Sequence, residues 1–242
     1  MAESLKNKVA IVVGASSGMG RATAALLAAR GALVTAAARR GDRLEQLQQE
    51  LETAGTPIAV QTADVTEEAS VASLMESVLS REGRIDLVVY ATGTNLPERS
   101  LEVLSPAGWS RLLETNLTGA FLCTRAVLPA MRAAGGGLII YLSSAAVQMP
   151  DVSGVAYQAS KHGLSGLAHG TRIEERSAGI RTCVIFPGLC DTEILHQRPV
   201  PTPTDVLARS LDPEDVAEAV AFVASLHPRA VVPELQLLPS QL

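Results

Sequence analysis

The chain has 242 residues, 47% hydrophobic and 19% charged, enough to bury one large core in a single α/β domain over residues 1–242. Its 25 acidic residues against 20 basic ones give a formal net charge of -5 with no long basic run, which argues against nucleic acid as a partner. The first apolar stretch stops at Val13, too short for a secretion signal or a membrane span, and three cysteines without paired spacing fit neither a zinc ribbon nor a disulfide framework. The expectation is a reduced, cytoplasmic protein with no membrane partner and no metal site.

Short apolar runs alternate with longer amphipathic stretches, the pattern of a parallel sheet wrapped by helices on both faces. Strands are predicted over 9–13, 33–37, 58–61, 87–90, 138–142, 181–186 and 234–237. Helices are predicted over 19–30, 43–53, 67–81, 106–133, 155–177 and 213–226, several followed by glycine stop signals at Gly31, Gly55 and Gly179. Most strands read as continuous apolar runs, as burial on both faces requires. The fold class is therefore a doubly wound, Rossmann-type parallel sheet of about seven strands. The stretch 189–211, with Pro199, Pro201 and Pro203 and few regularly spaced apolar residues, reads as a short substrate loop or lid.

Directly after the first strand come Gly14, Ser16, Ser17, Gly18, Met19 and Gly20, then an alanine-rich helix. A strand, a glycine turn and a helix N-terminus make an anion cradle, since backbone N–H groups point at the ligand and absent side chains let a pyrophosphate approach. The second strand ends in Ala37-Ala38-Arg39-Arg40, where an NAD-specific site usually offers an acid to the ribose. An acid there would repel a 2′-phosphate, whereas a guanidinium binds one in a charge-assisted fork, so NADP(H) is preferred over NAD(H). The plainer alternative is two solvated arginines opening a surface helix. The third strand runs into Asp64-Val65, placed to meet an adenine amine or to open the next helix; the two readings are compatible.

Ser144, Tyr157 and Lys161 are spaced by thirteen and four residues. The last two share one helical face, which sets an ammonium beneath a phenol. A nearby positive charge favours the phenolate and lowers a pKa that is ordinarily about 10. The Ser144 hydroxyl would orient a carbonyl or alcohol toward Tyr157 as general acid or base. A Tyr-x-x-x-Lys spacing also arises by chance, and its context decides.

Together these residues resemble the short-chain dehydrogenase/reductase family over nearly the whole chain. The family's Thr-Gly-x-x-x-Gly-x-Gly appears as Val13-Gly14-Ala15-Ser16-Ser17-Gly18-Met19-Gly20, with valine for the usual threonine. Its Asn-Asn-Ala-Gly becomes Tyr90-Ala91-Thr92-Gly93, which loses both amides and leaves Ala91 and Gly93 as cofactor contacts. The resemblance implies that Ser144, Tyr157 and Lys161 form a catalytic set with Asn116, whose part is to help hold a water leading from Lys161. It also implies that Pro187, Gly188, Leu189 and Thr192 flank the nicotinamide, and that Lys161 binds its ribose. The implied activity is hydride transfer between NADP(H) and a small carbonyl or alcohol, keto and hydroxy acids included.

A catalytically silent NADP(H) sensor or structural subunit is the alternative, favoured by the altered 90–93 segment, while the short stretch after Pro187 argues against a sugar-nucleotide epimerase. Substrate contacts are sought at Asn95 after Gly93, at Val147 and Gln148, and on the lid, where His196 and Arg198 face either a substrate carboxylate or solvent. The resemblance also implies a homodimer or homotetramer built on the helices carrying Asn116 and Tyr157.

Overall fold

In the computed structural model, which describes residues 4–242, seven strands form one fully parallel sheet in the order β3-β2-β1-β4-β5-β6-β7. They are β1 Val9–Val13, β2 Leu33–Ala38, β3 Ala59–Thr62, β4 Leu87–Tyr90, β5 Gly137–Leu142, β6 Ile180–Pro187 and β7 Glu234–Leu237. All seven predicted strands are present, displaced at their ends by a residue or so. The order reverses between β1 and β4, each lying beside the other and both ending at the same edge of the sheet. At such a reversal the connecting segments diverge and leave a crevice beyond the strand C-termini.

Alternation along β1 explains the two-sided core. Ala10 and Val12 face one cluster with helices α1 (Gly18–Ala29), α2 (Gly41–Thr53) and α8 (Pro213–Ala224). Val9, Ile11 and Val13 face the other, built with α3 (Glu68–Glu82), α5 (Gly119–Ala133) and α6 (Val155–Glu174). Burying both faces of a strand of five apolar residues removes several side chains from water at about 1.5–3 kcal/mol each, which is what fixes this central strand.

The predicted helix over 106–133 is interrupted. Helix α4 (Pro106–Leu113), capped by the Ser105 hydroxyl accepting from the Gly108 N–H at 3.0 Å, passes into a π-helical turn, Glu114–Thr118, before α5 begins. The extra residue is held by tertiary bonds: the buried Tyr90 hydroxyl donates to the Thr115 carbonyl, and Asn116 bonds outside its own helix. Single π turns of this kind recur beside functional sites.

The 189–211 segment is more ordered than a bare loop. It carries a 3₁₀ turn, Glu193–Gln197, and a short helix, α7 (Thr204–Leu207). Its base is pinned where the Leu211 N–H donates to the Leu189 carbonyl and the Asp191 N–H to the Leu211 carbonyl, both at 2.9 Å. Among the described residues no helix is long and apolar enough to cross a membrane.

Candidate active site

A cleft of about 780 Å³ opens at the strand-order reversal and runs from Arg39 and Arg40 to Leu242. At one end its floor is the turn from β1 to α1. Gly14 has φ +96°, and a Cβ there would stand 2.7 Å from the Thr92 nitrogen. At Gly20 a Cβ would come within 2.3 Å of the Gly14 carbonyl oxygen. Only bare backbone fits, so N–H groups and the α1 N-terminus face the cleft, the arrangement that receives a pyrophosphate. The residues present fit a dinucleotide.

Ser16, Ser17, Gly18 and Met19 line the same end. The Arg40 guanidinium donates to the Ser16 hydroxyl at 2.9 and 3.1 Å and to the Ser17 hydroxyl at 2.7 Å. It also pairs with Glu193 at 3.0 Å, and Arg43 pairs with the same carboxylate. Hydrogen bonds from these two arginines hold the Glu193 carboxyl below its ordinary range. Arg39 stands at the cleft rim. Val65 lines the cleft, but Asp64 is turned into its own loop, accepting from the Thr66 N–H at 2.9 Å and hydroxyl at 2.8 Å. Burial raises the Asp64 carboxyl, yet these bonds and the Arg39 charge outweigh it, leaving the group below its ordinary value.

The middle of the cleft gathers Ser144, Tyr157 and Lys161 on one wall. Ser144 ends the β5 connection and caps a 3₁₀ turn, Ala145–Val147, accepting from the Ala146 N–H at 3.2 Å. Tyr157 and Lys161 sit in the first two turns of α6, with the Lys161 Nζ 5.8 Å from the phenol ring centre. Nζ donates to the Leu142 carbonyl at 2.8 Å, which leaves donors for another ligand. Burial pushes this ammonium down to about 8.

The electrostatics correct one expectation. Burial raises the Tyr157 phenol above its ordinary value, opposed by its hydrogen bond with Ser144, reinforced by Asp151, and opposed again by the Arg99 and Arg198 charges. The protein's own groups therefore keep Tyr157 a protonated acid. Lys161 does not by itself turn it into a phenolate.

Asn116 is fully buried behind this wall and does not line the cleft. Its Oδ1 accepts from the Thr94 N–H at 2.8 Å, and its Nδ2 donates to the Thr94 carbonyl and the Ser160 hydroxyl, each at 3.0 Å. The side chain thereby clamps the segment that follows Gly93 against α6. A Cβ on Gly93 would lie 3.1 Å from the Lys161 Nζ, a tight contact, so the retained glycine leaves space beside the ammonium. The family's two amides are replaced by Tyr90, which is buried, and by Ala91, which lines the cleft with Thr92 and Gly93.

Pro187, Gly188, Leu189 and Thr192 continue along the opposite wall, with His196 beyond them. Asn95 also lines the cleft, but its amide is engaged: Nδ2 donates to the Ser153 carbonyl at 2.9 Å and Oδ1 accepts from the Leu96 N–H at 2.8 Å. Neither Gln148 nor Val147 reaches the cleft; Met149 takes that place. Sequence reasoning also missed Arg99, a buried guanidinium at this end, and the C-terminal Leu238, Pro239 and Leu242. Cys123 and Cys183 lie away from the cleft and Cys190 lines it; all three thiols are free, buried and raised to about 12, chiefly by that burial. His162 contacts the Gln158 carbonyl of its own helix, while His169 pairs with Glu234.

A sequence profile of the short chain dehydrogenases matches residues 8–200. The chain belongs to that family. Among its relatives, the cis-4-hydroxycyclohexanecarboxylate dehydrogenase of Sinomonas cyclohexanicum is 36% identical over 233 residues, covering 93% of this chain and 92% of that protein. Among solved structures, an alcohol dehydrogenase from the archaeon Thermococcus sibiricus, complexed with 5-hydroxy-NADP, superposes with a TM-score of 0.87 at 30% identity over 97% of each chain. A metagenomic short-chain oxidoreductase in complex with NADP gives a TM-score of 0.84 at 32% identity, over 98% of this chain and 99% of that one.

Proposed function

We propose that the protein is an NADP(H)-dependent oxidoreductase that interconverts small alcohols and their ketones or aldehydes, with keto and hydroxy acids among them. The observation that carries this reading is the convergence of Ser144, Tyr157 and Lys161 on one wall of a dinucleotide-sized cleft. The backbone from Gly14 to Gly20 holds the pyrophosphate, Arg39 and Arg40 take the 2′-phosphate, and Pro187 to Thr192 flank the nicotinamide. When bound, the dinucleotide supplies or accepts hydride at C4 of its nicotinamide.

Ser144 orients the substrate oxygen by donating its hydroxyl proton. Tyr157, kept protonated by burial, gives its proton to that oxygen as the carbonyl is reduced, and takes one back in the oxidation. Lys161 directs its remaining donors toward the ribose and, when charged, stabilises the phenolate that forms. Asn116 acts as a positioning residue, holding the 93–95 backbone beside Lys161. The altered 90–93 segment gives no support to a silent NADP(H) binder, because Gly93 beside Lys161 is kept.

The names of relatives support the substrate class, since one belongs to a hydroxycyclohexanecarboxylate dehydrogenase and another, from an Acinetobacter strain, to a cyclohexanol dehydrogenase. Preference for NADP(H) is supported by Arg40, already bonded into the glycine turn, and by the missing acid at 37–40. Assembly as a homodimer or homotetramer accords with Phe121 on α5 and Ile173 on α6, both exposed. Three free cysteines accord with a reducing cytoplasm.

Initial rates with NADPH and NADH on cyclohexanone, its 4-carboxylate and a panel of small aldehydes, read by loss of the reduced-nicotinamide absorbance, test the proposal. Turnover favouring NADPH is expected. Cofactor binding without turnover of any member would instead establish the silent binder.

A further inference from the structure

The substrate end of the cleft holds a cation that the hydride-transfer chemistry does not use. Arg99 is only 8% exposed, yet it lines the cleft and forms no ion pair among the described residues. Its Nε donates to the Leu96 carbonyl at 2.9 Å and its Nη2 to the Gln197 carbonyl on the lid. The chain at residue 99 packs closely against the start of α6. Gly154, with φ +93°, precedes α6, and a Cβ there would stand 2.7 Å from the Arg99 Cβ and 2.6 Å from its carbonyl oxygen.

Arg198, half-buried on the lid, lines the same end, and among the described residues its side chain bonds only the Thr202 hydroxyl, at 3.0 Å. Each guanidinium lies close enough to the other for its charge to be felt, and both fields reach the Tyr157 phenol. The opposing charge nearby is Asp151, but it is exposed, and its Oδ1 is taken by the Ser153 N–H at 2.9 Å. On the same wall the Ser153 hydroxyl is buried and has no partner among the described residues.

We propose that Arg99 and Arg198 form an anion subsite that selects substrates carrying a carboxylate, held at the end of the cleft beyond Tyr157. A neutral donor would tie the 96–99 loop to the lid equally well, but a buried guanidinium that lacks a counter-ion is costly unless an anion arrives. Its planar fork suits a carboxylate, and the orphan Ser153 hydroxyl adds a donor. The carboxylate would anchor one end of a short substrate while Ser144 and Tyr157 meet its carbonyl at the other, so the proposal deepens the oxidoreductase reading of this site.

Calorimetric titration of cyclohexanecarboxylate and of its neutral analogue cyclohexanecarboxamide, into the protein with and without saturating NADPH, reads the subsite independently of turnover. The acid is expected to bind at least tenfold more tightly than the amide. Arg99→Met should bring the two affinities together, and Arg198→Met should narrow the gap severalfold. Equal binding, no binding of either, or a preference unchanged in Arg198→Met would overturn the proposal. If Arg99→Met fails to give a cooperative thermal melt, the wild-type pair and Arg198→Met decide the matter. Failure of every carbonyl to be reduced would remove the oxidoreductase reading instead, and leaves the titration result standing.

Discussion

The two ends of the cleft are built on different principles. The dinucleotide end is made of backbone: a glycine turn on β1, the N-terminus of α1 and Gly93 beside Lys161, each position fixed by close approach to other main chain or to an ammonium. The substrate end is made of side chains from three irregular segments, with Arg99, Met149, Ser153 and Arg198 brought together only by the fold. At Gly14 and Gly20 the first end has no space for a methyl group. The second can exchange side chains while the scaffold stands, which is how one sheet architecture accommodates different substrates.

This contrast breaks most sharply at Gly20. A methyl group there would collide with the Gly14 carbonyl, so Gly20→Ala should weaken NADPH binding by about tenfold or more and destabilise the fold by about 1–3 kcal/mol, seen in fluorescence titration and urea melts. Wild-type affinity in that variant would mean that the cradle does not seat the cofactor as closely as the geometry demands.

Lys161 offers a comparable effect through pH. Its folded value lies near 8, below the ordinary 10.5, so between these values the unfolded chain binds a proton that the folded chain does not. Stability contributed by this group therefore rises with pH across that window and is flat below about pH 8, where both states are protonated. Relative to Lys161→Met, the wild type should gain up to about 3 kcal/mol over the window in denaturant melts. A difference independent of pH would place the ammonium in solvent.

At the other end, Gly154→Ala strains a left-handed position and presses on Arg99, and should lower stability by about 1–3 kcal/mol in urea melts. Met149→Ala, at a half-exposed site on the same wall, should change stability by less than about 0.5 kcal/mol while shifting KM among ketones of different size. If Met149→Ala altered NADPH binding as much as Gly20→Ala did, the division of labour between the two ends would be lost.

The same division explains what the sequence made legible. Strands announced themselves because both faces of the sheet are buried, so runs such as 9–13 and 138–142 are apolar throughout; their ends slipped by a residue because hydrogen-bond register, not hydropathy, sets them. The glycine turn was readable because a glycine reports a backbone constraint directly. The π turn at Glu114–Thr118 was not, since it depends on Tyr90, Thr94 and Ser160, all distant in sequence. Gln148 rather than Met149 was expected at the pocket because neighbouring residues of an irregular segment cannot be ordered without knowing the short turn that Ser144 caps. Arg99 lies in a stretch without periodicity, and the one local hint of its burial, a glycine immediately before α6, comes 55 residues later.

The central claim is that Tyr157 moves the proton in a hydride-transfer reaction run in this cleft. Tyr157→Phe keeps the ring that packs beside Lys161 and removes only the hydroxyl. Measured on a carbonyl substrate that the wild type reduces, with NADPH affinity checked in parallel, kcat should fall by about 10²–10⁴-fold while cofactor binding stays within a few fold. Turnover close to wild type would contradict the mechanism, whatever the cofactor affinity proved to be.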